Sequence, residues 1–371
     1  MGPVDPKNNQ RAPHECNRTG SAGSFGHVPA FGAREHSPAT SRTFQWLRIN
    51  PDLSTRSRYV NDVAVRLEGV TKSFGAHTAV SDFDLDIPRG TILGLLGPNG
   101  SGKTTTIRMI MAILLPDEGS VELLGGVPDM SRRSRVGYLP EERGVYPKMK
   151  VQEQLVFLGE LRGLPRSDAR KRAARWLDRL GLKDWAAKKV QDLSKGMQQK
   201  VQFIGTILHD PDLLILDEPF SGLDPINQDV LESIVREESA RGKTILFSTH
   251  LMEQAERLCE RVCLISRARK VLDGDLKELK RRERTGAVAV EFEGDEGWLD
   301  RAGVVDRERA GDAWHIPPGR IGHRELLAAA LREEVSLRRF EVLEPRLHEI
   351  FVRHAGEDAT EAPMSPKGGA R

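Results

Sequence analysis

Short runs of alternating apolar and polar residues begin at Val63 and form the first regular pattern in the chain. Val63, Val65 and Leu67 lie two residues apart, which predicts a strand with one buried face. From there to about Lys280, strand-like runs alternate with stretches of helical spacing. This order is typical of an α/β domain with a largely parallel sheet, and we predict one over residues 63–283.

One part of this α/β region, at about residues 150–200, has helical spacing only. Two apolar stripes predict two helices, and Gly181 ends the second. We interpret this part as a helical subdomain inserted into the α/β core. The stripes are Val151, Leu155, Leu158 and Leu161, then Ala169, Ala173, Trp176, Leu177 and Leu180.

A separate pattern follows over residues 284–355. Apolar alternation predicts strands at about residues 287–292, 313–316 and 335–343, and helical spacing predicts a helix at 324–333. These elements favour a small α+β domain. It contains no recognisable catalytic group.

Both ends of the chain lack such patterns. Residues 1–62 mix Gly, Pro, Ser, Asn and Arg, which predicts a disordered extension, and residues 356–371 predict a flexible tail. The first segment has no apolar stretch of the kind that a secretory signal requires. An organellar transit peptide and a start site placed too early are the alternatives that the sequence leaves open.

Composition narrows the class of protein. The 371 residues suffice for two or three compact domains of about 100–200 residues each. The 56 Lys and Arg residues against 54 Asp and Glu residues leave a net charge of +2, whereas a nucleic-acid binder is usually strongly basic. We therefore expect no nucleic-acid partner. The apolar runs are much shorter than the roughly 20 residues that cross a bilayer, so we expect no membrane span.

The three cysteines predict neither a disulfide framework nor a metal site. Cys259 and Cys263 lie four residues apart, but no second pair or nearby histidine completes a zinc site. We predict that both pack in the core. We assign no role to Cys16.

A glycine-rich segment between a predicted strand and a predicted helix carries the clearest chemistry. Residues 97–104 have the spacing G-x-x-x-x-G-K-T. Glycines let backbone amides converge on a phosphate at a helix N-terminus, Lys103 reaches the terminal phosphates, and the Thr104 hydroxyl binds Mg²⁺. The predicted nucleotide-binding residues are Gly97, Pro98, Asn99, Gly100, Ser101, Gly102, Lys103, Thr104 and Thr105.

A continuous apolar strand at residues 213–216 ends in two carboxylates, Asp217 and Glu218. A buried parallel strand delivers such groups to its C-terminal edge, where ligands bind in α/β sheets. An isolated Asp-Glu pair is more often structural, but a phosphate-binding loop in the same domain favours a functional role. We predict that Asp217 binds Mg²⁺ and that Glu218 polarises the attacking water.

Two further segments narrow the class: Leu193-Ser-Lys-Gly-Met before a helical run, and the strand Thr244–Thr249 followed by His250. The order of phosphate loop, helical insert, Leu-Ser-x-Gly, Asp-Glu strand, Ser-Gly-Leu-Asp and strand-His resembles the nucleotide-binding subunit of an ATP-binding cassette (ABC) transporter. The resemblance covers roughly Val63 to Lys280. It implies a P-loop NTPase core that binds ATP and Mg²⁺.

The resemblance also implies roles for five residues outside the phosphate loop. Phe74 matches the aromatic residue that stacks on adenine, although a core aromatic at a strand end is the alternative. Ser194 and Gly196 match the signature segment, which grips the terminal phosphate of ATP bound by the opposite subunit. Asp224 matches the loop at that dimer interface, and His250 matches the switch histidine that contacts the terminal phosphate and orients the water.

The sequence departs from the family pattern at three positions. Glu141 follows Gly-Tyr-Leu-Pro where the family usually has glutamine. A carboxylate there can bind Mg²⁺ but adds negative charge beside the phosphates. Lys195 and Met197 replace glycine and glutamine in the signature segment. Because Ser194 and Gly196 are kept, we expect hydrolysis to persist.

Together with the α+β region, these segments look most like the ATPases of bacterial two-component exporters, including sodium-efflux and drug-efflux types. The resemblance implies an ATP-hydrolysing subunit, peripheral on the cytoplasmic face of the cell membrane. Its partners would be a second nucleotide-binding subunit, identical or different, and a separate multi-spanning permease.

The sequence leaves two other functions as alternatives to export. A soluble ABC ATPase that acts on ribosomes or nucleic acid is one alternative, but a single cassette without sustained heptads argues against it. A binding protein that uses ATP only as a switch is another. Glu218 argues against a pure switch, which needs no acid to polarise water.

Overall fold

The structure is a computed structural model that describes residues 62–142, 144–319 and 321–356. The predictions for residues 1–61 and 357–371, and for Cys16, lie outside the described residues. The first strand, β1, spans Val63–Phe74 and confirms the strand predicted from the alternation at its start. It pairs antiparallel with β2 (His77–Pro88) on one side and with β4 (Glu118–Leu123) on the other.

A six-stranded sheet forms the centre of the main part of the chain, in the order β5-β6-β7-β3-β8-β9. Five strands are parallel and β9 is antiparallel at one edge, which confirms the predicted largely parallel sheet. Every residue of β3, β6 and β7 is buried, as expected for strands covered on both faces. The strands are β3 (Ile92–Leu96), β5 (Val136–Leu139), β6 (Leu213–Asp217), β7 (Thr244–Thr249), β8 (Arg261–Ser266) and β9 (Arg269–Asp275).

Helices and the antiparallel sheet cover the two faces of this central sheet. Because side chains alternate along a strand, Leu93 and Leu95 of β3 pack with the antiparallel sheet and α1. Ile92 and Leu96 pack on the opposite face with α5 and α6. The helices here include α1 (Lys103–Ile110), α2 (Met130–Ser134), α3 (Val151–Leu161), α4 (Arg166–Arg179), α5 (Lys195–Ile207), α6 (Pro225–Ala240), α7 (Met252–Leu258) and α8 (Leu276–Arg282).

The predicted helical insert is present as α3 and α4, followed by two short 3₁₀ turns that lead to α5. Gly181 has φ +70°, the left-handed conformation expected just after a helix end. The first stripe is wrong at Leu161, which is 63% exposed. Gly159 is buried instead, at the point where α3 approaches α4 closely. A Cβ at this position would lie only 2.9 Å from the Cβ of Ala169.

The C-terminal lobe, which we define as Val288–Val342, contains a four-stranded antiparallel sheet in the order β11-β12-β10-β13. The predicted α+β pattern is confirmed, but α9 and β11 were not predicted. A separate apolar cluster around Trp298 and Leu326 forms the core of this lobe. Its elements are β10 (Val288–Glu293), α9 (Gly297–Arg301), β11 (Glu308–Ala310), β12 (Ala313–Ile316), α10 (His323–Arg332) and β13 (Ser336–Val342).

A last helix, α11 (Leu347–Ala355), returns to the main part of the chain. Its Leu347 and Phe351 belong to the same buried cluster as Leu258 of α7. The Glu256 carboxylate accepts a hydrogen bond from the Leu347 backbone amide and lies 3.2 Å from the Lys280 ammonium. Apolar packing and these polar contacts therefore hold the chain after β13 against α7.

The sequence predicts that the chain has no membrane span and that Cys259 and Cys263 pack in the core. Within the described ranges, every helix is too short or too polar to cross a membrane. Cys259 is 8% exposed and Cys263 is fully buried, which confirms that both pack in the core.

Candidate functional site

Four charged groups predicted from separate sequence segments meet at the C-terminal edge of the six-stranded sheet. Lys103 begins α1 after β3, and Glu141 follows β5. Asp217 ends β6, and Glu218 comes directly after it. Burial lowers the pKa of Lys103, and the carboxylates of Glu218, Asp217 and Glu141 oppose this shift. The lysine and the three carboxylates therefore share one electrostatic environment.

The loop from Gly97 to Gly102 has a backbone that requires glycine at both ends. Gly97 has φ +153° and Gly102 has φ +113°. A Cβ would lie 2.1 Å from the Ile265 carbonyl oxygen at Gly97, and 2.4 Å from the Ala79 carbonyl oxygen at Gly102. Any side chain at either position would displace the loop from β8 or β2.

This loop ends at a helix start suited to an anion. Gly102 is the N-cap of α1 and no acidic residue lies in the first turn, so the partial positive charge of the helix N-terminus is not neutralised locally. The Lys103 Nζ atom donates to the carbonyl oxygens of Gly97 at 2.8 Å and Pro98 at 3.1 Å. The lysine side chain therefore turns back across the loop, with its ammonium at the carbonyl oxygens of the first two loop residues.

The remaining predicted loop residues differ in exposure. Asn99 and Gly100 are exposed, and Thr104 and Thr105 are half-buried at the start of α1. The Ser101 Oγ atom is buried and makes no hydrogen bond among the described residues.

Asp217 has the environment of a metal ligand. It is fully buried, and its Oδ1 atom accepts a hydrogen bond from the Ser248 hydroxyl. Its Oδ2 atom is buried and has no hydrogen-bond partner in the described part of the chain. A buried carboxylate oxygen without a donor is costly unless a cation satisfies it, so the residues fit a divalent ion.

The donor set favours an ion that takes few ligands from protein. Residues 62–142, 144–319 and 321–356 contain no group of three or more His, Cys, Asp or Glu residues that would hold a metal by itself. Mg²⁺ is usually bound through one or two carboxylates together with substrate phosphates. Asp217 and the Thr104 hydroxyl are suited to supply the protein's share.

Glu218 is held tightly in a strained conformation. Its φ is +49°, which costs about 1–3 kcal/mol for a residue with a side chain. Its backbone amide donates to both the carbonyl and hydroxyl oxygens of Ser248 at 3.2 Å. The surrounding strands therefore fix the direction in which this carboxylate points.

His250 completes a hydrogen-bonded pair with Glu218. The Glu218 Oε1 atom accepts from the His250 backbone amide at 3.0 Å and lies 2.9 Å from the ring Nδ1. A proton on Nδ1 would be donated to the carboxylate, which leaves Nε2 as the acceptor of a neutral ring. The Glu218 side chain is 10% exposed and the His250 side chain 44%, so the pair lies at the surface of the site.

Four predicted residues lie apart from this group. Within the described residues, Phe74, Ser194, Gly196 and Asp224 make no hydrogen bond to Lys103 or to the carboxylates of the site. Phe74 is 49% exposed at the end of β1, with the Lys72 ammonium 5.8 Å from its ring centroid.

Ser194 and Asp224 each cap a helix. The Ser194 hydroxyl accepts from the Met197 amide at 3.3 Å at the start of α5. Asp224 accepts from the Asn227 amide at 3.0 Å at the start of α6, and this bond lowers the pKa of its carboxyl. Both residues are exposed at helix N-termini and Gly196 lies in the first turn of α5.

Sequence reasoning missed residues that position these groups. Ser248 lies opposite Asp217 in the register of β6 and β7, but a strand register cannot be read from one sequence. Tyr138, next to the site on β5, has its pKa raised to about 12, by burial first and then by Asp217. Gln199 and Gln202 of α5 donate to backbone carbonyls beside the carboxylates.

Comparison with protein families identifies two regions of the chain. The model described as "ABC transporter" matches residues 80–221. The model described as "ATP-binding protein DrrA1-3-like, C-terminal domain" matches residues 274–355. The second match includes the C-terminal lobe and α11.

Two relatives match this chain over most of their own length. The ABC transporter ATP-binding protein YhaQ of Bacillus subtilis (strain 168) is 43% identical over 291 residues, which cover 78% of this chain and 98% of YhaQ. The Nod factor export ATP-binding protein I of Ralstonia nicotianae (strain ATCC BAA-1114 / GMI1000) is 40% identical, over 62% of this chain and 72% of that protein.

Solved structures agree with these matches. The ATP-binding subunit of an ABC transporter superposes with a TM-score of 0.56 at 30% identity, covering 59% of this chain and 92% of that one. CbiO1 from Clostridium perfringens, described as part of the ABC transporter complex cbiONQ, gives a TM-score of 0.52 at 26% identity, covering 60% of this chain and 94% of that one. The predicted P-loop fold is confirmed, and the chain belongs to the family of ABC transporter ATP-binding proteins.

Proposed function

We propose that the chain binds ATP with Mg²⁺, hydrolyses it, and powers export through a separate membrane-spanning permease. The observation that carries this proposal is the meeting of Lys103, Asp217 and the Glu218–His250 pair at one sheet edge. A phosphate cradle, a metal ligand and a base for water are the parts that phosphoryl hydrolysis requires.

ATP would bind with its phosphates on the loop Gly97–Thr105. The backbone amides at the start of α1 and the Lys103 ammonium supply the positive charge, and Phe74 offers an exposed ring face for adenine. Thr104 and Asp217 would hold Mg²⁺, which neutralises charge that develops on the phosphates. Glu141 would face the ion from the loop after β5.

Glu218 and His250 would act on the attacking water. The carboxylate is fixed by the Ser248 hydrogen bonds to its backbone amide, so little reorganisation is needed when it accepts a proton from water. The His250 ring bonds Glu218 through Nδ1, and Nε2 of the neutral ring would accept a hydrogen bond from the attacking water and so orient it. Contact of Nε2 with the terminal phosphate would require a proton on that atom as well. Removing either group is expected to lower turnover more than ATP affinity.

A second nucleotide-binding subunit would complete the site. Ser194, Gly196 and Asp224 lie at two exposed helix starts and make no hydrogen bond to the Lys103 group within the described residues. The hydroxyl and amides at the start of α5 are suited to bind the terminal phosphate of ATP held by the opposite subunit. Such closure on ATP, and reopening after hydrolysis, would supply the mechanical step.

A membrane-spanning partner is the proposed recipient of this motion. Tyr146, Phe157 and Leu161 expose apolar surface on the loop before α3 and on α3 itself, and the rings of Tyr146 and Phe157 pack edge to face with centroids 5.8 Å apart. Exposed apolar side chains of this size favour a protein contact. The relative named for Nod factor export supports transport out of the cell, with this subunit on the cytoplasmic face of the membrane.

The decisive variant for hydrolysis is Glu218→Gln, tested beside Glu325→Gln on α10. Glu218→Gln keeps the shape of the side chain but removes the proton acceptor, so it should bind ATP normally, lose turnover by about 1000-fold and accumulate as an ATP-bound dimer. Glu325→Gln should turn over normally. Radiolabelled ATP binding, phosphate release and light scattering measure the three properties. A monomeric Glu218→Gln variant with normal turnover would overturn the assignment.

The proposed partner can be tested by purifying the chain from native membranes in mild detergent. Mass spectrometry should find a multi-spanning protein in stoichiometric amount with the wild type. Phe157→Glu should lose that protein while keeping ATP binding, because the change places a charge on the exposed apolar surface without touching the phosphate loop. Stoichiometric ribosomal or DNA-bound proteins instead would contradict the transport function.

A further inference from the structure

One face of α5 carries three buried polar side chains that do not contact the phosphate loop. Gln199, Gln202 and Thr206 follow one another at spacings of three and four residues and are 5%, 7% and 5% exposed. Residues at these spacings share one side of a helix. Buried amides on a helix are costly unless they are hydrogen-bonded, so their partners indicate what this face does.

Gln199 contacts the turn that carries the proposed catalytic carboxylate. Its Nε2 atom donates to the Pro219 carbonyl oxygen at 3.0 Å, in a buried hydrogen bond. Pro219 directly follows Glu218, whose φ of +49° makes its position depend on the surrounding hydrogen bonds. The side chain of Gln199 thus fixes one side of this strained turn, while Ser248 fixes the other.

Gln202 contacts the loop that carries Glu141. Its Nε2 atom donates to the carbonyl oxygens of Pro140 at 3.3 Å and Glu142 at 3.2 Å, which are the neighbours of Glu141 on either side. The two carbonyl acceptors also fix the orientation of the amide, because its oxygen would be repelled there. Thr206 adds a longer contact, 3.4 Å from its hydroxyl to the Tyr138 carbonyl oxygen.

The helix approaches this loop as closely as its backbone allows. A Cβ at Gly137 of β5 would lie 2.4 Å from the Thr206 carbonyl oxygen, so glycine is required for α5 to pack on β5. The glycine in the Gly-Tyr-Leu-Pro segment therefore has a packing role. This close approach brings Gln202, one turn earlier on α5, within reach of the loop after β5.

We propose that Gln199 and Gln202 form a clamp through which α5 positions the loops of Glu218 and Glu141. Because Ser194 is the N-cap of α5, a displacement of the signature segment moves both carboxylates with it. The two glutamines are positioning residues: they contact backbone carbonyls, and neither reaches the proposed substrate or metal. This inference rests on the proposed hydrolysis of ATP, since it assigns to the clamp the alignment of that site.

The first test measures steady-state hydrolysis by the full-length Gln199→Leu and Gln202→Leu variants. Each should lower kcat about tenfold, with KM for ATP within about twofold, because the clamp aligns the carboxylates but leaves the phosphate loop intact. Lys200→Met is the matched control, since its Nζ atom donates at 3.2 Å to the Leu180 carbonyl oxygen in the helical insert and to neither loop. It should keep wild-type kcat.

A second measurement does not depend on turnover. Hydrogen–deuterium exchange of the nucleotide-free chain should become faster at residues 139–145 in Gln202→Leu and at residues 218–222 in Gln199→Leu, and at neither place in Lys200→Met. Unchanged exchange in both glutamine variants would overturn the clamp. A wild-type chain without any ATPase activity would instead overturn the proposed function, whereas accelerated exchange would still support the clamp as a structural link.

A variant with a titratable side chain, Gln202→Glu, tests whether the hydrogen bonds of Gln202 matter or only the volume of its side chain. Gln202→Glu keeps the side-chain size, but its ionised form offers no donor to the carbonyls of Pro140 and Glu142 and adds charge beside Glu141. Its protonated form donates again. Its kcat relative to wild type should therefore rise as pH falls from about 8 to about 5, and a constant ratio would contradict the donor role.

Discussion

Helix starts differ between the phosphate-binding region and the C-terminal part of the chain. The helices α1 and α5 begin with the neutral N-caps Gly102 and Ser194 and have no acidic residue in the first turn. By contrast, α10 and α11 each carry a glutamate there, Glu325 and Glu349. An acid in the first turn neutralises the helix N-terminus and stabilises the helix. Without such an acid, the positive ends of α1 and α5 are not neutralised, as the proposed binding of phosphate requires.

Burial of charge differs in the same way. Lys103 and Asp217 are buried, and one Asp217 oxygen has no hydrogen-bond donor among the described residues. In the C-terminal lobe the ion pairs are exposed, for example Arg301 with Glu333 at 2.9 Å. Exposed pairs contribute about 0–1 kcal/mol each, so this lobe depends mainly on the apolar cluster around Trp298. The main part of the chain instead keeps costly buried charges where a ligand can satisfy them.

The largest contrast is expected between two glycines of positive φ. Gly97→Ala should weaken ATP binding by more than about 1000-fold, since the Cβ would lie 2.1 Å from the Ile265 carbonyl oxygen and displace the loop. Gly294→Ala in the C-terminal lobe, with φ +111° and open space around it, should cost only about 1–3 kcal/mol of backbone strain. Fluorescent-nucleotide titration and urea unfolding measure these effects. Normal ATP affinity in Gly97→Ala would contradict the required loop geometry.

The helix α11 follows the C-terminal lobe in sequence but packs on the main part of the chain. The variant Phe351→Ala tests how much this packing contributes to stability. Phe351 is 3% exposed and packs in the cluster of the main part of the chain, so the truncation should lower the free energy of unfolding by about 3–5 kcal/mol. Leu327→Ala on α10, at a side chain that is 36% exposed, should change it by less than about 1 kcal/mol. Urea unfolding followed by tryptophan fluorescence measures both. A small effect of Phe351→Ala would mean that α11 contributes little to the main part.

The elements that could be predicted from the sequence are those whose pattern lies within a few consecutive residues. The phosphate loop and the strands β6 and β12 could be predicted because their glycine spacing and apolar runs lie within a few residues. The helix α11 was missed although its buried residues Leu347, Ile350 and Phe351 have helical spacing in the sequence. What no local pattern gives is its packing on α7, which is distant in sequence. Leu161 was assigned to a buried stripe, but the close approach of α3 and α4 at Gly159 turns it outward.

The contacts of the candidate site show the same limit. Residue types and spacing predicted Asp217 and Glu218, and the family resemblance implied His250. The structure brings Glu218 and His250 into hydrogen-bond contact. The partners Ser248 and Gln202 depend on strand register and on how α5 packs, which no local pattern records. The roles of Asp217, Glu218 and His250 in binding and catalysis stay predictions.

A half-buried histidine, His209, whose ring nitrogens are buried, should make the main part of the chain sensitive to acid. Burial and then Arg162 lower the pKa of His209 to about 4, while Asp210 opposes and Lys243 reinforces the shift. The unfolded chain, with an ordinary histidine pKa of about 6.5, binds the proton first as pH falls. Stability from this group is therefore complete above about pH 6.5 and is lost between there and about pH 4, by at most about 3 kcal/mol.

The variant His209→Gln should remove that part of the pH dependence. Its free energy of unfolding between pH 7 and pH 4.5 should fall less steeply than that of the wild type, because glutamine does not titrate. Urea unfolding at several pH values measures the slopes. Parallel curves for the two proteins would show that His209 is protonated equally in the folded and unfolded chains.

The smallest of these effects concerns the signature helix start itself. Ser194→Ala removes the hydroxyl that caps α5, and Lys195→Glu introduces an acid into its first turn, where the terminal phosphate of ATP from the opposite subunit is proposed to bind. Each should lower kcat about 100-fold, which corresponds to about 2.7 kcal/mol. Lys195→Gly removes only an exposed side chain and should keep turnover within about threefold. Steady-state phosphate release measures turnover in the three variants. Equal turnover in all of them would mean that neither the Ser194 hydroxyl nor the lack of an acid in the first turn of α5 matters for hydrolysis.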